Sequence, residues 1–442
     1  MRPINFFKQA AIFTLIMFSS CGKQNDKKYS FSSSSADSRW PLVELEEVSH
    51  HVIFKEMNKY ASFPKLFIDP ANDYLYTRFS VKEARSHWGG ETHERYMTME
   101  SRDGGISWQT IDELPLSARG SRPLLPGLLS TGFNDKSLQG GVFRMKDRAL
   151  VRIGHYWRRW LPVERLPEFE GKYDIVLGGE NRGPGEDYFA ILSGGYLERS
   201  ENDGKTWERT DIPELDTYVS CSSPWSYDQL PDGTVIRVFW LRESAEESDS
   251  SKLVAVMTHD GKSARVVDIL GYIPGYQFTE EILLHVTSKG VIWALVRVRN
   301  FGKGTEHHNL WQLVSEDGGL SWTAAPSPIH IGFSPPSGLV QLDDGRLVLI
   351  AADRAYYKPG IHALISEDEG LTWRHDRRIA LRSDAQPRYV GIGSDMGYPE
   401  AVKLSDNTIV TVYYYYTAEE YPEGGELTRW ICATRFKVPE FK

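Results

Sequence analysis

The chain has 442 residues, with 60 acidic against 51 basic side chains and a formal net charge of −9. An acidic chain without a Lys/Arg run is repelled by phosphates, which sets nucleic acid aside as a partner. Aromatic residues at 12% and 38 glycines suit many short strands joined by tight turns, and all-β domains of this kind run long as single units.

The N-terminus carries Arg2 and Lys8, then the apolar stretch Ala10 to Phe18, then Ser19, Ser20 and Cys21. A charged start, a short apolar run and small residues before a cysteine are the layout of an export signal, and the run is too short to span a bilayer. The Phe-Ser-Ser-Cys end resembles a bacterial lipoprotein processing site, with Phe18 where Leu is usual. That likeness implies a signal peptide over residues 1–21 with Cys21 lipidated. The protein would then be periplasmic or on the cell surface, held to the membrane only through its N-terminal lipid. Residues 22–40 are rich in Lys, Ser and Asp and read as a flexible tether, so the folded domain is expected over 41–440. Cys221 and Cys432 then remain; they lie in strand-like runs of different repeats and are expected as buried free thiols.

From residue 63 onward a hairpin signal recurs: Phe63–Tyr76, Gly141–Arg152, Tyr227–Phe239, Ile282–Leu295, Leu339–Ile350 and Ala401–Tyr413 each set an Asp, Asn or Gly turn between β-rich runs. Interleaved with them are copies of a second pattern, Ser-x-(Asp/Asn)-x-Gly-x-(Ser/Thr)-Trp, at Ser101–Trp108, Ser200–Trp207, Ser315–Trp322 and Ser366–Trp373. The Asp or Asn side chain bonds amides of its own turn, the Gly takes angles other residues avoid, and the Trp folds down over the hairpin. Thr258–Lys262 is a degraded copy lacking the Trp. The repeating unit is therefore two hairpins, about four strands. The last unit ends in Trp430–Phe436 without a full set, and Pro41–Glu47 and His51–Phe54 are candidates for its missing outer strand. Residues 156–190, poor in alternation, read as an insertion over one face. Radial repetition of four-stranded units protects sheet edges, so the expected fold is all-β, a six-bladed β-propeller.

The four Ser…Trp segments resemble the Asp-box (BNR) repeats of the sialidase superfamily, whose fold is a six-bladed propeller, and the resemblance covers nearly all of 41–440. In such a fold the residues just ahead of each hairpin line a common pocket: Ala61–Pro64, Gln139–Gly141, Ser222–Trp225, Gln277–Glu281, Ser334–Ser337 and Asp395–Glu400. Gly397-Tyr398-Pro399, followed by strand, turn and apolar strand, is similar to the segment that carries the family's tyrosine nucleophile. Glu281, sixteen residues before Arg297 across a hairpin, resembles the family's paired Glu and substrate-binding Arg. Glu280 is a rival to Glu281, and Arg299 shares a face with Arg297. Arg354 stands where the third arginine of the family is expected. The resemblance implies that Tyr398 attacks the sugar while Glu281 takes its proton, and that Arg297 and Arg354 grip a substrate carboxylate.

Two departures stand out. The family opens its first blade with Arg-Ile-Pro, and the matching residues here are Ser62-Phe63-Pro64; Arg78 or Arg85 is left to substitute. The loop expected to hold the catalytic Asp reads Ala84–Glu91 without one, leaving His87 or Glu91 as general acid. Trp88 and Trp225 are candidates to stack on a sugar face, and Asp395 is grouped with the substrate-binding residues. The adjacent His307 and His308 suit a loop better than a metal site. No metal or other cofactor is expected. The resulting expectation is an exported, monomeric, retaining exo-glycosidase acting on terminal acidic, sialic-acid-like sugars of glycans. The alternatives are a related enzyme that hydrolyses or eliminates another polysaccharide, and a non-catalytic glycan-binding surface protein.

Overall fold

The computed structural model describes residues 42–439 apart from 46, 70, 84–93, 112–128, 131–136, 139–140, 157, 180–183, 223–225, 244–250, 274–275, 301–309, 330–336, 355–358, 386–394 and 418–427. The expected signal, tether and lipidation site at Cys21 therefore lie outside the described residues, as do Arg85, His87, Trp88, Glu91, Trp225, His307 and His308. The described chain is nearly all β, with one four-residue α-helix, Leu166–Phe169, and three short 3-10 turns.

Antiparallel sheets follow one another along the chain. Strands Tyr60–Asp69, Tyr74–Lys82, Glu94–Ser101 and Gln109–Thr110 form the first set. Short pairings through Leu129–Ser130 and Ser137–Leu138 continue it into Val142–Arg144, Leu150–His155, Gly195–Ser200 and Glu208–Ile212. Next come the sheets built around Val235–Arg242, around Ile292–Asn300 and around Leu347–Asp353, and finally the sheet of Gly397–Lys403, Ile409–Tyr415 and Trp430–Phe436. The 156–190 insertion holds a small antiparallel sheet, Arg159–Pro162, Ile175–Leu177 and Tyr188–Ile191.

Strands near the middle of each sheet are buried on both faces, which is why they read as unbroken apolar runs rather than as alternation. Ile282 and Leu284 join Ile236 and Leu253 of the preceding sheet in one core, while Leu283 and Leu295 join Leu339 and Leu349 of the following sheet in another. The same division recurs: Ile350 and Ile365 pack with Tyr413, and Val410 and Tyr414 pack with Leu66 and Phe79 of the first sheet. Phe143 and Ile153 pack with Phe239. Each sheet thus rests on the next, and the last returns to the first.

The N-terminal segment completes two sheets. Val48–Phe54 pairs antiparallel with Trp430–Phe436, supplying the outer strand that the last repeat lacks, and Leu42–Glu44 runs parallel to Arg378–Arg382 in the preceding sheet. The Ser…Trp segments form turns between the two outer strands of their sheets. Asp103 Oδ1 accepts the amides of Ile106 and Ser107 at 3.1 and 2.9 Å, Ser101 Oγ accepts the Gly105 amide at 2.8 Å, and the Trp108 indole donates to the Gly105 carbonyl at 3.1 Å. Asp317 and Trp322 repeat this circuit. Asp260 repeats it without a Trp. In the fourth copy the Trp373 indole nitrogen is buried and without a partner among the described residues, and Trp293 of the neighbouring sheet donates to the Glu369 carbonyl at 2.8 Å instead. Cys221 and Cys432 are both buried free thiols.

Candidate functional site

Three inner strands break register at the same relative place. The ladder between Tyr60–Asp69 and its neighbour slips between Ser62 and Lys65, that of Tyr276–Val286 between Phe278 and Ile282, and that of Gly397–Lys403 between Gly397 and Glu400. Such bulges release residues from the ladder and re-aim their side chains. Prolines 64 and 399, which cannot donate to a ladder, sit inside two of the three breaks. Ahead of them Phe63 and Tyr398 take φ of +53° and +49°, a conformation that large side chains avoid. Gly397, at φ +120°, lies so close to the preceding sheet that a Cβ would stand 2.5 Å from Ala352 Cβ.

Together these breaks converge Tyr398 and Glu281. The Tyr398 hydroxyl donates to Glu281 Oε1, and Arg297 Nη1 donates to the other carboxylate oxygen at 2.5 Å. Thr279, inside the same break, fixes the segment: its hydroxyl donates to the Arg297 carbonyl at 3.2 Å and accepts the Glu281 amide at 3.3 Å. Arg354 follows the Leu347–Asp353 strand and lies over the Tyr398 ring, 5.5 Å from its centroid. Its Nε donates to the Met396 carbonyl at 2.6 Å and its Nη2 to the Tyr414 hydroxyl at 3.0 Å. Phe63 meets Tyr398 edge to face with centroids 4.8 Å apart, and Tyr414 stacks on it at 6.0 Å.

Electrostatics follow from this enclosure. Burial, and then the Glu281 charge, push the Tyr398 phenol well above its ordinary value, while Arg354 acts in the opposite sense. Burial alone would weaken the Arg354 cation, but the Tyr414 and Tyr398 phenols and the Asp395 and Glu281 carboxylates more than offset it and raise its pKa. A proton passed from Tyr398 to Glu281 therefore moves negative charge from the carboxylate to the phenol oxygen, with two guanidinium groups at hand.

The sequence places Tyr398, Arg354 and the pair Glu281 and Arg297 in three separate repeats, and these contacts join all four. Asp395 adjoins them, but its carboxylate is occupied from within: it accepts the Tyr60 hydroxyl on one oxygen and the Tyr414 hydroxyl on the other at 2.9 Å. Arg78 lies on the neighbouring strand opposite Lys65, its guanidinium 4.6 Å above the Tyr96 ring. Ser62 is fully buried, its hydroxyl 3.4 Å from that of Ser80. Lys65 instead reaches across to Glu400, Nζ to Oε1 at 2.5 Å, two residues beyond Tyr398. Sequence reasoning missed Tyr60, Tyr414 and Arg429. Tyr414 sits in a run of four tyrosines that reads as core strand, which hides its polar role. Among the described residues no group of three or more His, Cys, Asp or Glu side chains is placed to hold a metal ion.

Solved structures give the fold a context. A protein of unknown function from Dyadobacter fermentans is 20% identical with a TM-score of 0.59, covering 89% of this chain and 100% of its own. The intramolecular trans-sialidase of Ruminococcus gnavus superposes with a TM-score of 0.50 at 11% identity, over 86% of this chain and 94% of its own. The leech intramolecular trans-sialidase gives 0.52 at 10% identity, over 88% and 70%. This chain has the sialidase-like propeller fold. It matches no protein-family model and no curated protein sequence. At such identities the likeness carries the architecture, and the chemistry rests on the side chains.

Proposed function

We propose that the protein is a retaining glycoside hydrolase on a six-bladed propeller with Asp-box hairpins, and that it removes a terminal acidic sugar from glycans. The observation that carries this reading is the chain Tyr398–Glu281–Arg297, with Arg354 over the tyrosine ring. In the first step the Tyr398 oxygen bonds to the anomeric carbon and its proton passes to Glu281 Oε1. The glycosidic C–O bond breaks, and an acid in the 84–91 loop, His87 or Glu91, protonates the departing oxygen. In the second step the same group of the 84–91 segment, now a base, takes a proton from water as the water oxygen displaces the tyrosine, and the tyrosine recovers its proton from Glu281, so the sugar leaves with its original configuration. A neutral nucleophile suits an anionic sugar, because a carboxylate would repel it. Among the hydrogen bonds of the described residues Arg297 uses Nη1 and Arg354 uses Nε and Nη2, which leaves further N–H donors for the sugar carboxylate.

Which acidic sugar is cleaved turns on the first repeat. With Ser62 buried against Ser80 and Phe63 facing Tyr398, that wall supplies an aromatic edge rather than a cation. This favours a sugar acid other than sialic acid, a uronic acid among them. The N-terminal sequence supports export, lipidation of Cys21 and a tether over 22–40, with the propeller over 41–440 acting as a monomer.

The test is a panel of fluorogenic sialosides and uronides, with the anomer of the first product read by NMR. Turnover with retention, lost in Tyr398→Phe and in Glu281→Gln, supports the reading. Absence of turnover across the panel, combined with glycan binding, would instead favour the non-catalytic alternative. Loss of membrane association in Cys21→Ser checks the anchor.

A further inference from the structure

Arg354 lies over the Tyr398 ring, yet no carboxylate touches its guanidinium directly among the hydrogen bonds of the described residues. Its two bonds go to neutral oxygens, the Met396 carbonyl and the Tyr414 hydroxyl. The Tyr414 hydroxyl has a single proton, and that proton is committed to Asp395 Oδ1 at 2.9 Å. Its lone pairs are thereby turned toward Arg354 Nη2. Were the proton free to rotate, it would oppose a second donor. The other oxygen of Asp395 accepts the Tyr60 hydroxyl, and its main-chain carbonyl accepts Arg429 Nε at 2.7 Å. Tyr60, Tyr414 and Arg429 are all fully buried or nearly so. Asp395 is thus fixed from three sides by the core, and it in turn fixes the dipole that holds Arg354.

We propose that Asp395 is a positioning residue that, through the Tyr414 hydroxyl, holds the Arg354 guanidinium against the ring of Tyr398. The charged and titratable groups that face Tyr398 come from each element around it: Glu281 and Arg297 from the fourth hairpin, Arg354 from the fifth, Tyr414 and Asp395 from the sixth. Phe63 from the first contributes no charge. Among these groups Arg354 is the first that eases ionisation of the phenol, ahead of Arg297. Loosening it by about an ångström or two, at an effective dielectric of about 20, makes the phenol harder to ionise by roughly half a pH unit. The importance of this for turnover rests on the nucleophile reading; the electrostatic link does not.

The test is fluorine NMR of protein labelled with 3-fluorotyrosine, in which the Tyr398 resonance is assigned by its loss in Tyr398→Phe. Asp395→Asn also removes a negative charge, which by itself eases ionisation of the phenol, so it is expected to move the Tyr398 titration upward by less than Tyr414→Phe does. Its amide can accept from only one of the two phenols, so the Tyr414 proton is no longer secured. Tyr414→Phe, which removes one oxygen from a packed ring and changes no charge, is expected to move the Tyr398 titration upward by roughly half a pH unit and carries the test. Tyr60→Phe, which leaves the Tyr414 link intact, is expected to shift it less. A Tyr398 titration unmoved in Tyr414→Phe overturns the proposal, as does a shift in Tyr60→Phe equal to that in Tyr414→Phe. Neither outcome depends on a substrate, so failure of the glycosidase reading is recognised separately.

Discussion

Phe63 and Tyr398 meet edge to face, 86° between ring planes, and each stands at positive φ directly ahead of a proline. They occupy corresponding breaks in the first and last sheets, and the aromatic edge of one closes the ring face of the other. The first repeat thus contributes to the site as a wall. Phe63→Ala removes part of a half-buried ring and is expected to cost about 1–2 kcal/mol. Water then reaches the Tyr398 phenol, whose ionisation falls back toward its ordinary value. Thermal unfolding and the tyrosine titration check the two effects.

The pair Tyr398 and Glu281 yields the catalytic prediction. Tyr398→Phe keeps the ring and its packing, so the melting temperature is expected to change little while turnover falls by about 10³-fold or more. Glu281→Gln removes the proton acceptor and the partner of Arg297, with an expected loss of about 10²–10⁴-fold in kcat. Initial rates on whichever glycoside the wild type turns over decide both.

Gly397 offers a test of geometry without touching a reacting group. Alanine there would press its Cβ on Ala352 and displace the neighbouring Tyr398. The expected result is a loss of about 10²-fold in kcat in a protein that still folds, because small misplacements of reacting atoms are costly. Wild-type kcat in Gly397→Ala would show that the positive-φ break does not set the position of the tyrosine.

Acid stability should report the turn aspartates. Partial burial alone would raise the Asp103 pKa, but the Ser107 hydroxyl and amide, the Ser101 hydroxyl and the Ile106 amide outweigh it and bring it down to about 2. Asp260 is likewise at about 2 through its bonds to Ser263 and Lys262. A folded-state pKa below the unfolded one gives stability that is present above about pH 4 and is lost as the pH falls through about 2. Asp103→Ala is expected to lower stability at neutral pH by about 1–2 kcal/mol through its lost hydrogen bonds. It should also make the decline between pH 4 and 2 shallower. Urea unfolding at several pH values measures both.

The repeats were legible because their physics is local: a turn that bonds its own amides and a Trp that closes on it can be read within eight residues. The gathering of Tyr398, Glu281, Arg297 and Arg354 was legible for a different reason, through the resemblance of their segments to those of the sialidase superfamily. Tyr60, Tyr414 and Arg429 were not, because they belong to strands whose apolar character dominates the sequence and whose polar atoms acquire meaning only across sheets. The broken ladders left a trace in Pro64, Gly397 and Pro399, but their consequence, two aromatic residues at positive φ facing one another, needs the closed cycle of sheets. Ser62 marked what the first wall lacks; Phe63, one residue on, shows what stands there.

The strand that carries Tyr398 belongs to the sheet whose outer edge is supplied by Val48–Phe54 from the other end of the chain. That sheet is therefore finished by a strand far from its neighbours in sequence. A nascent chain exposes the bare edge of Trp430–Phe436 until its own beginning returns to cover it. A proteolytic cut just beyond Phe54 would leave that edge held only by non-covalent pairing. If Cys21 is the membrane anchor, the strand Leu42–Glu44, held in the preceding sheet, lies between the lipid and the latch. Mechanical pull on the anchor would then be borne first by Leu42–Glu44 in the preceding sheet, and only after that by the sheet that holds the tyrosine.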